Sequence, residues 1–386
     1  MIKNPFLLVM ILLSIEGLVL WLAQHPRYKK WFQFLPSLFW IYFLPMLLST
    51  VGLIDPKNAI YSKIINSLLP ASLFLLLITV DIKSILRLGR PALIMFFAGS
   101  AGIIFGAPIV FFILKGWIGK EFWGGFGALS ASWTGGSANM IAVKEALHTP
   151  DSVFLPMVIV DTIVPYVWMA ILVAFAESQP FFDRWNKADH RIFDQLSRKA
   201  HKVETPHEQK WQWWKVLLIV AAGMAASMLV RSVVKILPVG KDALYAWTII
   251  LVTCFAIALS FTPAKKLEAH GSTKIGYLIL YFVLTSIGAK ASLSNIGSTV
   301  LLIIAGFMIV AIHAAVLMGV ARLIRAPLCL VAAASQANIG GVASAPIVAE
   351  IYQPGFAPIG LLLAILGNIV GTYLGIIAGQ LCRLLM

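Results

Sequence analysis

Ten apolar runs, most of them about 20 residues long, decide what kind of fold this chain can adopt. A membrane core about 30 Å thick is crossed by about 20 helical residues, so each run fits one membrane-spanning helix. Only 12% of the residues are charged, against about 25% in soluble domains. The sequence therefore predicts an all-α polytopic membrane protein. The runs are residues 5–23, 34–53, 59–80, 91–114, 152–176, 216–236, 243–262, 275–289, 298–320 and 355–381.

The net charge of +14 fits this class without a nucleic-acid partner. Lys and Arg lie mainly in the short loops between the apolar runs, where they orient the helices and meet anionic lipid head groups. The predicted surroundings are therefore the lipid bilayer, and the predicted location is the plasma (inner) membrane, with multiple crossings.

One long polar segment, residues 178–213, divides the chain into two halves, 1–177 and 214–386. We interpret it as a hydrophilic cytoplasmic linker between two transmembrane repeats. The halves resemble each other, since residues 130–145 and 335–350 align without gaps and share six of sixteen residues. Internal repeats of this kind are typical of secondary transporters.

Loop charges indicate how the two repeats are oriented. Five basic loops prefer the cytoplasm, and they can all lie there only if segments 121–147 and 326–350 add no net crossing. Each repeat then has five spans plus one re-entrant hairpin, and the repeats are inverted, although loop 231–242 faces outward despite three basic residues. In the alternative, each broken segment crosses the membrane fully. The loop charges favour the hairpin.

Glycine pairs interrupt both of these segments. Non-helical backbone inside a membrane survives only where it faces protein or a water-filled cavity. Each break leaves two half-helices. The N-termini of the half-helices suit anions, and their C-termini and the free backbone carbonyls suit cations. We therefore predict a solute site at the two breaks, against the alternative that small residues merely pack helices. Its residues are Thr134, Gly135, Gly136, Ser137, Ser335, Gln336, Asn338, Gly340, Gly341 and Ser344.

Asp161 is the best candidate for ion coupling. It lies in the middle of an apolar run, where a carboxylate is costly and marks a functional site. With Thr162, Asn139 and Asn368 it is predicted to form the coupling site, holding Na⁺ on Asp161 and Asn139 or a proton on Asp161. The alternative is a structural pair with Lys144.

Three other polar side chains within the apolar segments have simpler interpretations. His313 is predicted to be a hydrogen-bonded core residue, and Glu145 and Glu350 are predicted to cap helix ends. The sequence contains no P-loop, HExxH or GxSxG motif. An enzyme is therefore not predicted, nor is any cofactor besides the coupling ion.

Four stretches carry a family resemblance: LSASWTGGSANMIAVKEAL, VDTIVPY, SQANIGGVASAPIVAE and GNIVGTYLG. They resemble the membrane-protein family called domain of unknown function 819, over nearly the whole chain. The chain is more distantly similar to the superfamily of sodium/proton antiporters, bile-acid/sodium symporters and glutamate/sodium symporters. That resemblance implies inverted repeats and an elevator-like movement of a core against a scaffold, and it allows a homodimer.

The same resemblance assigns the broken segments and the Asp161 helix to the core, and helices 5–23 and 216–236 to the scaffold. One difference is that Thr162 follows Asp161, whereas electrogenic antiporters have two adjacent aspartates. We therefore predict a secondary active transporter that couples Na⁺ or H⁺ to a small anionic or zwitterionic organic solute. The alternative is a monovalent cation/proton antiporter without an organic substrate.

Overall fold

The structure is a computed structural model, and it describes residues 1–28, 32, 37–189, 213–240, 243–290 and 299–386. Within these ranges the chain folds into α-helices and short 3₁₀ helices and contains no β-strand. Most of the linker predicted at 178–213 lies outside the described residues, so its extent stays a prediction.

The described residues form sixteen α-helices. In the first half they are α1 Pro5–Gln24, α2 Ser37–Thr50, α3 Ala59–Leu77, α4 Ile82–Leu86, α5 Arg90–Ile118, α6 Trp123–Gly135, α7 Ser137–Ala146 and α8 Asp151–Ala174. The linker begins with α9 Gln179–Asn186. The second half contains α10 Trp213–Val234, α11 Leu244–Ser260, α12 Ser272–Lys290, α13 Thr299–Ile324, α14 Leu328–Ile339, α15 Gly341–Tyr352 and α16 Ala357–Leu384.

Eight of the described helices are long and apolar enough to cross a membrane. They are α1, α3, α5, α8, α10, α12, α13 and α16. The two remaining apolar runs form the shorter helices α2 and α11, and α11 bends by 97° into the 3₁₀ helix Pro263–His270. The prediction of an all-α polytopic membrane protein is confirmed.

Large apolar side chains cover the outside of several long helices. Phe105 and Phe112 on α5, Leu217 on α10 and Val300 on α13 are each more than half exposed. In water such surfaces would be unfavourable, whereas lipid tails solvate them, and extended exposed apolar surfaces are a mark of membrane contact. The burial pattern therefore agrees with a multi-pass integral membrane protein.

The helices group into two compact units, and each unit draws on both halves of the sequence. Unit 1 consists of Met1–Val80, Thr149–Thr162 and Glu208–Ser298, and unit 2 consists of Asp81–His148, Ile163–His207 and Thr299–Met386, within the described residues. Helices α1 and α10 thus belong to unit 1, and both broken segments belong to unit 2. The continuous helix α8 contributes its first half to unit 1 and its second half to unit 2.

In unit 1, small residues let helices approach closely. A methyl group added to Gly223 of α10 would lie 3.0 Å from Cγ of Leu75 on α3. The hydroxyl of Ser272 donates a hydrogen bond of 3.1 Å to the Leu75 carbonyl, and Ser49 of α2 donates one of 2.5 Å to the Ala289 carbonyl of α12. These contacts replace the hydrophobic driving force that is missing between helices in lipid.

In unit 2, helices α6 and α7 fold back on each other and form hairpin 1. A methyl group on Gly127, near the start of α6, would lie 2.9 Å from Cδ1 of Leu147, which follows α7, and 2.8 Å from Cα of Gly379 on α16. At the other end of α6, a methyl group on Gly135 would lie 2.8 Å from Cα of Gly371. The beginning of α6 and the end of α7 therefore lie at the same level of α16, so the segment turns back.

Helices α14 and α15 form hairpin 2 in the same way. The Gln336 side-chain nitrogen donates a hydrogen bond of 2.8 Å to the Ser344 hydroxyl. In a continuous helix these residues would lie about 12 Å apart along the axis. Their direct bond shows that the chain reverses at the pair Gly340 and Gly341, between them.

The two legs of hairpin 2 open toward the end of α8. The Leu328 N–H, at the start of α14, donates a hydrogen bond of 2.8 Å to Asp183, shortly after α8. The Tyr352 hydroxyl, at the end of α15, donates one of 2.5 Å to the Leu172 carbonyl in the last turn of α8. The first residue of α14 and the last residue of α15 therefore both lie near the end of α8.

The two hairpins enter from opposite ends of α16. The open end of hairpin 1 lies against Gly379, near the C-terminus of α16, because Leu147 contacts that residue. The open end of hairpin 2 lies near the N-terminus of α16, where a methyl group on Gly360 would be 3.0 Å from Cβ of Ala349. A helix of 28 residues is long enough to cross a bilayer, so the two hairpins start at opposite ends of a candidate membrane span. The inverted relation of the whole halves stays a prediction.

Candidate functional site

The turn of hairpin 1 is formed at Gly136. This residue has φ 82° and ψ 174°, a conformation that glycine adopts without steric cost. Its N–H donates a hydrogen bond of 2.6 Å to the Ser132 carbonyl, and its own carbonyl accepts one of 3.0 Å from the Asn139 N–H. The break predicted at this glycine pair is therefore present, and it occupies a single residue.

The turn of hairpin 2 uses the matching residue of the second glycine pair. Gly341 has a left-handed φ of 63°, whereas Gly340 before it has φ −105° and ψ −9°. Gly341 aligns with Gly136 in the repeat. In both hairpins the second glycine therefore provides the unusual backbone angle, and the first allows a close contact.

Hairpin 1 packs along α16 through a stripe of small residues. A methyl group on Gly135 would collide with the Gly367 carbonyl, and one on Gly375 would lie 2.8 Å from Cα of Ala131. The helix backbones therefore touch, as small residues at four-residue spacing allow in membranes. The stripe contains Gly127, Ala131 and Gly135 on α6 and Gly367, Gly371, Gly375 and Gly379 on α16. Its spacing is visible in the sequence, but our prediction used only Gly135.

Asn139 ties the turn of hairpin 1 to the middle of α16. Its side-chain nitrogen donates hydrogen bonds of 2.5 Å to the Gly135 carbonyl and 3.3 Å to the Asn368 carbonyl. Its side-chain oxygen accepts a hydrogen bond of 2.5 Å from the Thr372 hydroxyl. Two of the four predicted ion-site residues, Asn139 and Asn368, are thus brought together. Thr372 is a partner that sequence reasoning missed.

The other polar residues at this turn differ in what they offer a ligand. The buried Thr134 hydroxyl donates a hydrogen bond of 2.7 Å to the Ser130 carbonyl of its own helix. Ser137 is partly buried at the first position of α7. The side-chain oxygen of Asn368 would lie 3.5 Å from a methyl group on Gly136, so it faces the turn. An amide oxygen and a helix N-terminus therefore meet at the predicted break.

At the turn of hairpin 2, the Gln336 amide bridges the two legs. Its nitrogen bonds Ser344, as described above, and a methyl group on Gly340 would collide with both of these side chains. Gln336 is 1% exposed, and its side-chain oxygen has no hydrogen-bond partner among the described residues. A buried acceptor without a partner is costly, so this oxygen is available to a cation, a water or a donor group of a solute.

Ser335 belongs to a hydrogen-bonded chain through unit 2. His313 Nδ1 lies 2.8 Å from the Gly99 carbonyl, and His313 Nε2 lies 2.9 Å from the Ser335 hydroxyl. The Trp168 indole N–H donates to the same hydroxyl at 2.9 Å. A carbonyl only accepts and an indole only donates, so His313 Nδ1 carries a proton, and the Ser335 hydroxyl accepts from Trp168 while it is paired with His313 Nε2.

These hydrogen bonds confirm the prediction that His313 is a hydrogen-bonded core residue. They also engage the Ser335 hydroxyl within unit 2. Asn338, one turn later, is also bonded inside unit 2, because its nitrogen donates a hydrogen bond of 3.0 Å to the Ser100 hydroxyl. Its side-chain oxygen packs against Gly99 and has no hydrogen-bond partner among the described residues. Ser335 and Asn338 thus anchor hairpin 2, while Gln336 faces its turn.

Asp161 and Thr162 lie in the first half of α8 and are grouped with unit 1. The resemblance instead assigned the Asp161 helix to the core. Asp161 is partly buried, and the Thr162 hydroxyl donates a hydrogen bond of 2.8 Å to the Val158 carbonyl. Asn139 and Asn368 belong to unit 2, whereas Asp161 and Thr162 belong to unit 1. The ion site formed by these four residues therefore stays a prediction. The alternative pairing of Asp161 with Lys144 also stays a prediction.

Two acidic residues near the ends of the hairpins make specific polar contacts. Lys144 Nζ lies 2.6 Å from the Glu145 carboxylate near the end of α7. The Glu350 carboxylate accepts hydrogen bonds of 3.0 Å from the Gly355 N–H and 3.2 Å from the Ala357 N–H. The predicted cap is therefore confirmed for Glu350, whereas Glu145 forms an ion pair.

The chain is similar to known membrane proteins over most of its length. The family described as "Protein of unknown function (DUF819)" matches residues 10–385, which is nearly the whole chain. An uncharacterized membrane protein, YjcL of Bacillus subtilis (strain 168), is 25% identical over 350 residues, or 87% of each chain.

Proposed function

This chain belongs to the DUF819 family of membrane proteins, and we propose that it is a secondary active transporter. It couples the gradient of Na⁺ or H⁺ to the movement of a small anionic or zwitterionic organic solute. The observation that carries the proposal is the pair of helical hairpins that enter from opposite ends of α16, each with a glycine turn and polar groups inside the span.

This architecture suits transport better than a fixed binding role. Non-helical backbone is expensive in lipid and is retained where it lines a pathway, and transporters place their sites at such breaks near the bilayer midplane. Here the breaks offer the amide oxygens of Gln336 and Asn368 and the N-termini of α7 and α15. Neutral oxygens and helix ends can hold a small solute and release it again.

For ion coupling we propose Asp161, together with Thr162, Asn139 and Asn368. A carboxylate can hold Na⁺ or a proton, and hydroxyl and amide oxygens are ligands that Na⁺ accepts. Movement of unit 2 relative to unit 1 in an elevator-like manner would complete the cycle. The proposed partners are the lipid bilayer and a small-molecule solute, and we propose neither an enzymatic activity nor a cofactor.

The experiment uses purified protein in liposomes with an inward Na⁺ gradient. Uptake of radioactive sodium is measured with and without pools of amino acids and small carboxylic acids, while an internal dye reports pH. Sodium or proton flux that depends on one pool supports the proposal. Asp161→Asn should abolish the coupled flux, with the exposed Glu177→Gln as a control that keeps it.

Two outcomes would contradict parts of the proposal. Sodium/proton exchange without any dependence on solute would replace it with the cation/proton antiporter. Coupled flux at the normal level in Asp161→Asn would remove that residue from the ion site, even if solute transport itself is observed.

A further inference from the structure

The beginning of the hydrophilic linker makes several specific contacts within unit 2. Helix α9 and the residues just after it lie against the turn between α13 and hairpin 2, residues 321–328. We propose that this part of the linker is a clamp that caps α14 and fixes the position at which hairpin 2 begins. The clamp consists of Asp183, Trp185, Asn186 and Asp189.

Asp183 supplies a helix cap that α14 lacks in its own sequence. The residue before α14 is Pro327, which makes no side-chain cap. The first N–H groups of a helix need an outside partner, and the Leu328 N–H finds it in the Asp183 carboxylate, at 2.8 Å. A carboxylate at this end also interacts favourably with the helix dipole, so a residue of the linker stabilises the first turn of α14.

Asn186 holds the turn itself closed. This residue is fully buried, although it belongs to a polar segment. Its side-chain nitrogen donates hydrogen bonds of 2.7 Å to the Ala326 carbonyl and 3.1 Å to the Ala321 carbonyl. The Ala326 N–H also donates to the Ala321 carbonyl, at 2.9 Å. One amide thus satisfies two buried carbonyls on opposite sides of the turn.

Contacts from the turn back to the linker complete the clamp. The Arg322 guanidinium donates a hydrogen bond of 2.6 Å to the Trp185 carbonyl and lies 4.8 Å from the centre of the Trp185 ring. The Asp189 N–H donates one of 2.9 Å to the Arg325 carbonyl, and Arg325 has a left-handed φ of 54°. That conformation is costly for a residue with a side chain, so the contacts of the clamp offset a local cost of this turn.

The clamp has a consequence for the candidate site. Hairpin 2 carries Gln336 and Gly341, and its first leg starts at Leu328. Anything that loosens α9 should therefore disturb the start of hairpin 2 before it disturbs hairpin 1, which is held by its glycine stripe on α16. This inference concerns folding and positioning, and it stands or falls independently of the transported solute.

Hydrogen-exchange mass spectrometry in detergent micelles tests the clamp. In Asp183→Ala, amides in the first turn of α14 should exchange about five-fold faster, the loss expected for one helix cap, while peptides of α6 remain unchanged. Asp183→Asn keeps an acceptor oxygen and should restore most of the protection. The control is Glu177→Ala, which removes an exposed carboxylate just before the same linker.

Unchanged exchange in Asp183→Ala, or an equal increase in α6 and α14, would overturn the proposal. Cross-linking provides a second measurement if that variant does not fold. In a background without native cysteines, Trp185→Cys and Arg322→Cys are joined by a short thiol reagent, and the chain is then cut at a protease site inserted among residues 195–205. The clamp predicts that the two fragments stay linked on a denaturing gel, and complete separation would contradict it.

Discussion

The side-chain oxygen of Asn139 lies 2.5 Å from the hydroxyl of Thr372, so the turn of hairpin 1 is tied directly to the middle of α16. Thr372 is 1% exposed, and Asn139 is 3% exposed. With the two bonds that the Asn139 nitrogen donates to backbone carbonyls, every polar atom of this amide has a partner. The network ties the non-helical turn to α16.

Thr372→Val tests this network with almost no change in volume. The substitution removes the hydroxyl and leaves the buried Asn139 oxygen without its donor, which costs about 1–3 kcal/mol. We expect a lower thermal unfolding temperature in detergent for Thr372→Val. Thr372→Ser keeps the donor and should lose less stability, and equal losses in the two variants would argue against the hydrogen bond.

Gly371→Ala tests the contact between hairpin 1 and α16. A methyl group at this position would lie 2.7 Å from Cα of Gly135 and 3.0 Å from the Ala131 carbonyl. Backbone atoms cannot move aside cheaply, so we expect a destabilisation of about 1–3 kcal/mol. Gly319→Ala on α13 is the matched control, because nothing lies within 4 Å of its added methyl group. The control should unfold at the same or a higher temperature.

Gly341 separates backbone strain from crowding. Its φ is 63°, and no atom lies within 4 Å of an added Cβ, so a substitution there is limited by the backbone alone. A left-handed conformation costs an ordinary residue about 1–2 kcal/mol, whereas asparagine tolerates it better. We expect Gly341→Asn to unfold at a higher temperature than Gly341→Val. The reverse order would mean that the turn does not use this conformation.

Ser335→Ala tests the buried chain through His313. The variant leaves the Trp168 indole N–H and the His313 ring nitrogen without their common partner, and each buried loss costs about 1–3 kcal/mol. Ser232→Ala on α10 removes a hydroxyl that bonds only its own helix on an exposed surface and serves as the control. A large drop in unfolding temperature is expected only for Ser335→Ala, together with a change in Trp168 fluorescence.

Local features of the fold were predictable from the sequence. The ten apolar runs all form helices, and eight of these are long enough to cross a membrane. The glycine pairs that begin at Gly135 and Gly340 marked both breaks, because the backbone conformation there depends on the glycines themselves. Loop charges also favoured the hairpin over a full crossing, since the side on which Lys and Arg accumulate reflects topology. These inferences needed no knowledge of which helices are neighbours.

Contacts between distant segments were not predictable in the same way. Nothing near Asn139 in the sequence points to Thr372, and nothing near Ser335 points to Trp168 or to the Gly99 carbonyl. Such partners depend on which helices pack together and on how each helix is rotated about its axis. Neither can be predicted from a single sequence. The spacing of Gly367, Gly371, Gly375 and Gly379 was visible, but its partner helix was not.

The most direct measurement of the central claim is the side from which each hairpin enters the membrane. Single cysteines are placed at the exposed positions Pro150, just after hairpin 1, and Pro354, just after hairpin 2, in a background without Cys254, Cys329 and Cys382. Each is labelled with a membrane-impermeant maleimide in right-side-out and inside-out vesicles. We expect labelling of Pro150→Cys only from outside and of Pro354→Cys only from the cytoplasmic side. Labelling of both from the same side would contradict it.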